Sequence, residues 1–169
     1  MKTRMAALIV VAATTVASAQ HGHDGAGGGD GHRAAQRCQS EFEAVIADGR
    51  GFGLAFAADQ EGYPGPLHVL ELKDHLRLSG DQEREMRELM DAMFTRSRPA
   101  SARLLAAERR LRALFAERTA DEVSVRRAVA DVERIRSEVR SIHLLTHLKT
   151  RDLLTDEQRR LYHAARWGH

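Results

Sequence analysis

The chain has 169 residues, 26 of them Lys or Arg and 24 Asp or Glu, with 43% hydrophobic and only 5% aromatic residues. That length suits one domain with a modest core. The near balance of charge offers no strongly basic surface for nucleic acid, and no nucleophile elbow, phosphate loop or CxxC pair appears, so neither a nucleic-acid binder nor an enzyme is expected.

Met1-Lys2-Thr3-Arg4 is a short basic start, Met5 to Val16 an apolar run of 12 residues, and Ala17-Ser18-Ala19 an A-x-A pattern. Residues 1–19 therefore read as a cleavable signal peptide, excluded from the fold. The apolar run falls short of the roughly 20 residues a membrane-spanning helix needs, so no span is expected after cleavage. Losing Lys2 and Arg4 leaves 24 basic against 24 acidic residues, a formally neutral mature chain. Residues 20–33 are rich in Gly and His and too polar to bury a core, so a disordered tail is expected. His21, His23 and His32 in it are auxiliary metal-ligand candidates, because imidazole suits zinc, copper and nickel; a solvated linker is the plainer reading. Cys38 is the only cysteine, so no internal disulfide can form. It is open to cross-linking two chains, to ligating a metal, or to being an ordinary thiol.

From residue 34 to 169 a single helical domain is expected. A segment from Ala34 to Ala47 carries Phe42, Val45 and Ile46 on one side and ends in the glycines of DGRGFG. With a short helix over 52–59 it forms an N-terminal extension, 34–60. After the EGYPGP turn, Pro66 suits the first turn of a helix running to about Leu76. Ser79-Gly80-Asp81-Gln82 is a capping box, with Met86, Leu89, Met90 and Met93 following at helical spacing and Leu104, Leu111, Leu114 and Phe115 beyond. The methionines read as core or adaptable contact surface before copper(I) ligands. Pro99 is expected to kink or break this helix. Thr119-Ala120-Asp121-Glu122 repeats the box before a third helix striped with Val125, Val129, Val132, Val139 and Ile142, and Thr155-Asp156-Glu157-Gln158 opens a short last helix.

The predicted architecture is all-α: four main helices, with two long ones of about 30 residues, ~45 Å each, joined as an antiparallel hairpin in a core over 66–165. So thin a hairpin leaves apolar surface for a second copy, and a homodimer is expected.

His143 and His147 are four residues apart, on one helix face, and can reach one ion. The metalloprotease pattern needs Glu after the first histidine, where Leu144 stands. His68, Glu71 and His75 form a second one-sided set at i, i+3 and i+7. The hairpin topology brings this helix near the end of the third, so the five residues become one candidate metal site. The arginine-rich faces interleave with acids and read as solvated.

The export signal, the helical hairpin and the paired LSGDQ (78–82) and LTDEQ (154–158) motifs resemble the Spy/CpxP family of LTxxQ-motif periplasmic proteins. The stretch GYPGPLHVLELKDHLRLSGDQ (62–82) is most like its ZraP/CnrX-like branch of periplasmic heavy-metal sensors. The resemblance implies an all-α periplasmic protein of four main helices, its hairpin dimerising into a curved cradle, that chaperones unfolded proteins, damps envelope-stress signalling or binds metal. In the metal-sensing branch, ligands come from first-helix histidines, which His68 matches, and from a late H-x-x-x-H/M pair, which His143 and His147 match. Pro64 stands where that first helix would carry a second histidine, leaving Glu71, His75 or the tail to complete the set. The expected function is sensing or buffering a divalent transition metal, zinc first, with copper, nickel or cobalt accepting the same ligands. The alternative is an ATP-independent chaperone or stress modulator, with unfolded clients or an inner-membrane signalling partner.

Overall fold

The structure, a computed structural model, describes residues 28–168; the signal peptide expected over 1–19, His21 and His23 lie outside them. Seven helices follow one another: α1 Gly28–Ala47, α2 Phe56–Gln60, α3 Pro66–Glu71, α4 Lys73–Leu76, α5 Gly80–Ala116, α6 Glu122–Asp152 and α7 Asp156–Trp167. Among the described residues there is no strand, and no helix is long and apolar enough to cross a membrane. The long antiparallel hairpin is α5 with α6; α1 and α3 lie on α5, and α4 lies on α7.

Two apolar clusters hold these elements. Along the hairpin, Ile46 of α1 packs with Met93, Ala100, Leu104, Leu105 and Ala107 of α5 and with Val132, Ile135, Val139 and Ile142 of α6. The second cluster joins Val69, Leu76, Met86, Leu154 and Tyr162, and so ties α3, α4 and α7 to the start of α5. Met86 and Met93 are thus core residues, one in each cluster. The predicted stripe of α6 narrows at its start, where Val129 is exposed.

The boxes at Ser79/Gln82 and Thr155/Gln158 form as expected, each hydroxyl accepting from the glutamine N–H and each glutamine oxygen accepting from the cap N–H. They also clasp each other. Gln82 Nε2 donates to Gln158 Oε1 at 2.9 Å, and Gln158 Nε2 returns a bond to Gln82 Oε1 at 2.9 Å. The remaining amide hydrogens reach the carbonyls of Leu153 and Leu76. Capping was the whole role read from these motifs; the structure adds a lock between two helix starts 76 residues apart.

Five local expectations are corrected. The cap of α6 is Asp121 with Ser124, not Thr119 with Glu122. Arg118 takes a left-handed conformation (φ 57°) and the Thr119 hydroxyl bonds back to the Leu114 carbonyl, so the turn uses up Thr119 before the helix begins. Helix α5 runs through Pro99. A mid-helix proline costs roughly 3 kcal/mol, but burying Leu104 and Leu105 against α6 returns about 1.5–3 kcal/mol each. The helix expected over 66–76 stops at Leu72 (φ −103°, ψ 14°) and restarts as α4; Val69 and Leu76, on either side of the break, both enter the second cluster. Finally, α1 begins at Gly28, inside the tract expected to be disordered, and α2 begins only at Phe56, because residues 51–55 turn with Phe52 and Gly53 at positive φ.

Candidate metal centre

Helix α6 carries His143 and His147 one turn apart, and both are buried, at 6% and 9% exposure. They border a cavity of about 350 Å³ that is also lined by His68 of α3, Asp59 of α2, Met93 of α5 and Arg166 of α7. Burial holds both imidazoles below the ordinary histidine pKa of 6.5. For His143 the neighbouring His147 adds to the effect and the Gly49 backbone opposes it. For His147 the Tyr63 backbone and Asp59 oppose it, and His68 adds to it. Both rings are therefore neutral at pH 7 and carry a free lone pair, as a metal ligand must.

The flanking loops decide which nitrogen holds that lone pair. His147 Nδ1 lies 2.6 Å from the Tyr63 carbonyl, which can only accept, so the proton sits on Nδ1 and Nε2 is left open. Nε2 of His143 is buried without a hydrogen-bond partner, so the interaction with Gly49 falls to Nδ1. A ring N–H fixed by a backbone carbonyl, with the other nitrogen aimed at the ion, is the usual arrangement of a ligating histidine. Ser97 of α5, fully buried, donates to the Gly49 carbonyl at 2.7 Å and so anchors the first loop. Gly49 itself (φ +82°) leaves no room for a side chain, since a Cβ would stand 2.7 Å from Arg98. Two further glycines press on the rings: a Cβ on Gly51 would meet the His143 ring at 3.0 Å, and one on Gly65 would meet His147 Nε2 at 3.0 Å.

His68 is partly exposed. Its Nδ1 bonds to Glu71 Oε2 at 3.0 Å and its Nε2 accepts from Arg166 Nη2 at 3.1 Å. Glu71 thus stands behind His68 and does not line the cavity. His75, exposed on α4 beyond the break at Leu72, does not line it either. His32 is exposed on α1 beside Gln36, and Cys38 is an exposed free thiol. Asp59 was missed by sequence reasoning. It is 6% exposed, accepts from the Tyr162 hydroxyl at 2.5 Å and from Arg166 Nε at 3.3 Å, and no spacing rule links residues more than 100 positions apart. Burial first, and then Asp59, pushes the Tyr162 phenol far up, so it remains a donor.

In this arrangement no three His, Cys, Asp or Glu side chains among the described residues converge closely enough to hold an ion. The donor chemistry nonetheless fits one: the orphaned Nε2 of His143, the open Nε2 of His147, the Nε2 of His68 and a buried carboxylate are zinc-type ligands.

A profile of the heavy-metal resistance family matches residues 51–160. The chain belongs to that family. The match spans Gly51, Gly65, His68, both α6 histidines and both LTxxQ-type motifs, so the resemblance read from those motifs is borne out and the protein is one related to heavy-metal resistance. It leaves out α1 and the end of α7 that bears Arg166. No curated protein and no solved structure matches the chain.

Proposed function

We propose that this is an exported, periplasmic metal-binding protein, not an enzyme, that senses or buffers a divalent transition metal, zinc first. The observation that carries the reading is the pair of buried, neutral imidazoles on α6. Each has Nδ1 turned to a loop backbone and Nε2 left without a hydrogen-bond partner, beside a cavity shared with His68 and Asp59. His143, His147 and His68 would hold the ion, with Glu71 orienting His68. A bound ion would supply a positive centre that ties α6 to α3; the chain supplies the donors and excludes water from two of them.

Calorimetric titration of zinc, copper(II), nickel and cobalt into the leaderless chain tests this. His21, His23 and His32 are changed to alanine so that the tail cannot contribute. Submicromolar binding is expected, and His143→Ala with His147→Ala should weaken it at least about 100-fold. Unchanged affinity in the double variant sinks the assignment.

A chaperone role is the second reading. It is favoured by Phe52, Phe56 and Leu67, which are 47%, 53% and 38% exposed and rim the same cavity. A cradle gripping unfolded clients through them would suppress aggregation without metal, and their replacement by serine would abolish that. In either role a homodimer would cover the exposed Leu145 and Leu148 of α6. A sensor would hand its state to an inner-membrane partner; a buffer needs none.

A further inference from the structure

Arg166, in the last turn of α7, lines the cavity. Its Nε bonds to Asp59 Oδ2 and its Nη2 to His68 Nε2, at 3.3 and 3.1 Å. One guanidinium therefore takes up a carboxylate from α2 and an imidazole lone pair from α3. Those two donor types are the ones a divalent transition metal selects. Asp59 is too deeply buried to stand without a compensating positive charge. His68 Nε2 has a single lone pair, so it can serve Arg166 or a metal, never both. While Arg166 holds it, no three donors converge among the described residues.

We propose that Arg166 is an internal stand-in for the metal, that Asp59 is the carboxylate ligand completing His68, His143 and His147, and that metal binding expels Arg166 from the cavity. This deepens, and rests on, the metal-binding reading above. The exchange never leaves the buried carboxylate unpaired: a monocation leaves it and a dication takes its place, raising the local charge by one. It also names the moving part. Trp167, the only tryptophan, packs edge-on against Phe56 of α2 with ring centroids 5.4 Å apart, and the Arg166 guanidinium lies 5.9 Å from its ring. Expelling Arg166 disturbs both contacts, while Tyr162 and Gln158 keep the rest of α7 in place. The occupied state is thereby written into the last turn of α7.

The test titrates zinc into the leaderless chain and into its R166Q, R166K and D59N variants, following heat and Trp167 emission together. R166Q should bind about threefold to tenfold more tightly, because the competing cation no longer holds His68 away, and R166K should fall between. D59N should bind at least about tenfold more weakly. If D59N does not fold, the Arg166 pair decides. Zinc should shift Trp167 emission in the parent chain, and the shift should vanish in R166Q although binding persists. Equal affinity in R166Q and the parent overturns the proposal alone. Tighter binding in R166Q with no emission change in the parent also overturns it, leaving only a charge effect. Absence of zinc heat in every chain overturns this proposal together with the metal-binding reading.

Discussion

Replacing Gln158 by alanine removes one half of the clasp that joins the starts of α5 and α7. Gln158 is 8% exposed, and its side-chain amide makes four bonds. Its Oε1 accepts from Thr155 N–H at 3.0 Å and from Gln82 Nε2 at 2.9 Å; its Nε2 donates to Gln82 Oε1 at 2.9 Å and to the Leu76 carbonyl at 3.3 Å. A net 0.5–1.5 kcal/mol each would give roughly 2–6 kcal/mol. Water can reach the cap N–H and the longest bond is weak, so about 2–3 kcal/mol is expected, a large part of the ~5–15 kcal/mol that holds a domain folded. Urea unfolding followed by far-UV circular dichroism reads this loss. The two mutual bonds also disappear in Gln82→Ala, so the double variant should cost about 1–2 kcal/mol less than the sum of the singles. A single-variant loss below about 1 kcal/mol, or strict additivity, would refute the clasp.

Two other outcomes follow from the histidine surroundings. Gly65 has φ −84° and ψ 150°, which alanine accepts, so Gly65→Ala should change stability by less than about 1 kcal/mol while its Cβ crowds His147 Nε2 and weakens zinc binding about tenfold or more; urea unfolding beside calorimetry separates the two effects. Because folding lowers the pKa of both buried histidines, the unfolded chain takes up their protons first as pH falls. Stability is then full above about pH 6.5 and declines from there towards the lower folded values, and His143→Ala with His147→Ala should flatten that slope in urea midpoints measured across the window.

The hairpin and two of its three caps were legible because their signals are local: a hydroxyl three residues ahead of a glutamine, and apolar residues at helical spacing. Where local signals competed, packing or turn geometry chose between them. The box was read at Thr119, and the left-handed turn at Arg118 gave the cap to Asp121 instead. Pro99 was expected to kink or break the helix, yet α5 continues past it without a break, with Leu104 and Leu105 buried beyond. His75 reads as a partner of His68 only if the helix continues past Leu72, and the backbone of Leu72 (φ −103°, ψ 14°) interrupts it there. The α6 histidines were singled out by their spacing, by the hairpin topology and by the late H-x-x-x-H/M pair that the resemblance implies. Asp59, Tyr162 and Arg166 were not, because their association exists only in three dimensions and each is an ordinary residue type in an ordinary helical context.

The glycines at 51 and 65 shape the candidate centre in an indirect way. Neither contributes a donor, and neither has the left-handed backbone that normally reserves a position for glycine. What they contribute is absence: the rings of His143 and His147 lie where their side chains would be. Among relatives that keep this histidine pair, substitution at these two positions should be rarer than at Glu71, although Glu71 is the residue with chemistry to offer. Ligand type alone would pass over half of what shapes this candidate site, and a transplanted H-x-x-x-H pair would need two bare stretches of backbone laid over it before its rings could pack as they do here.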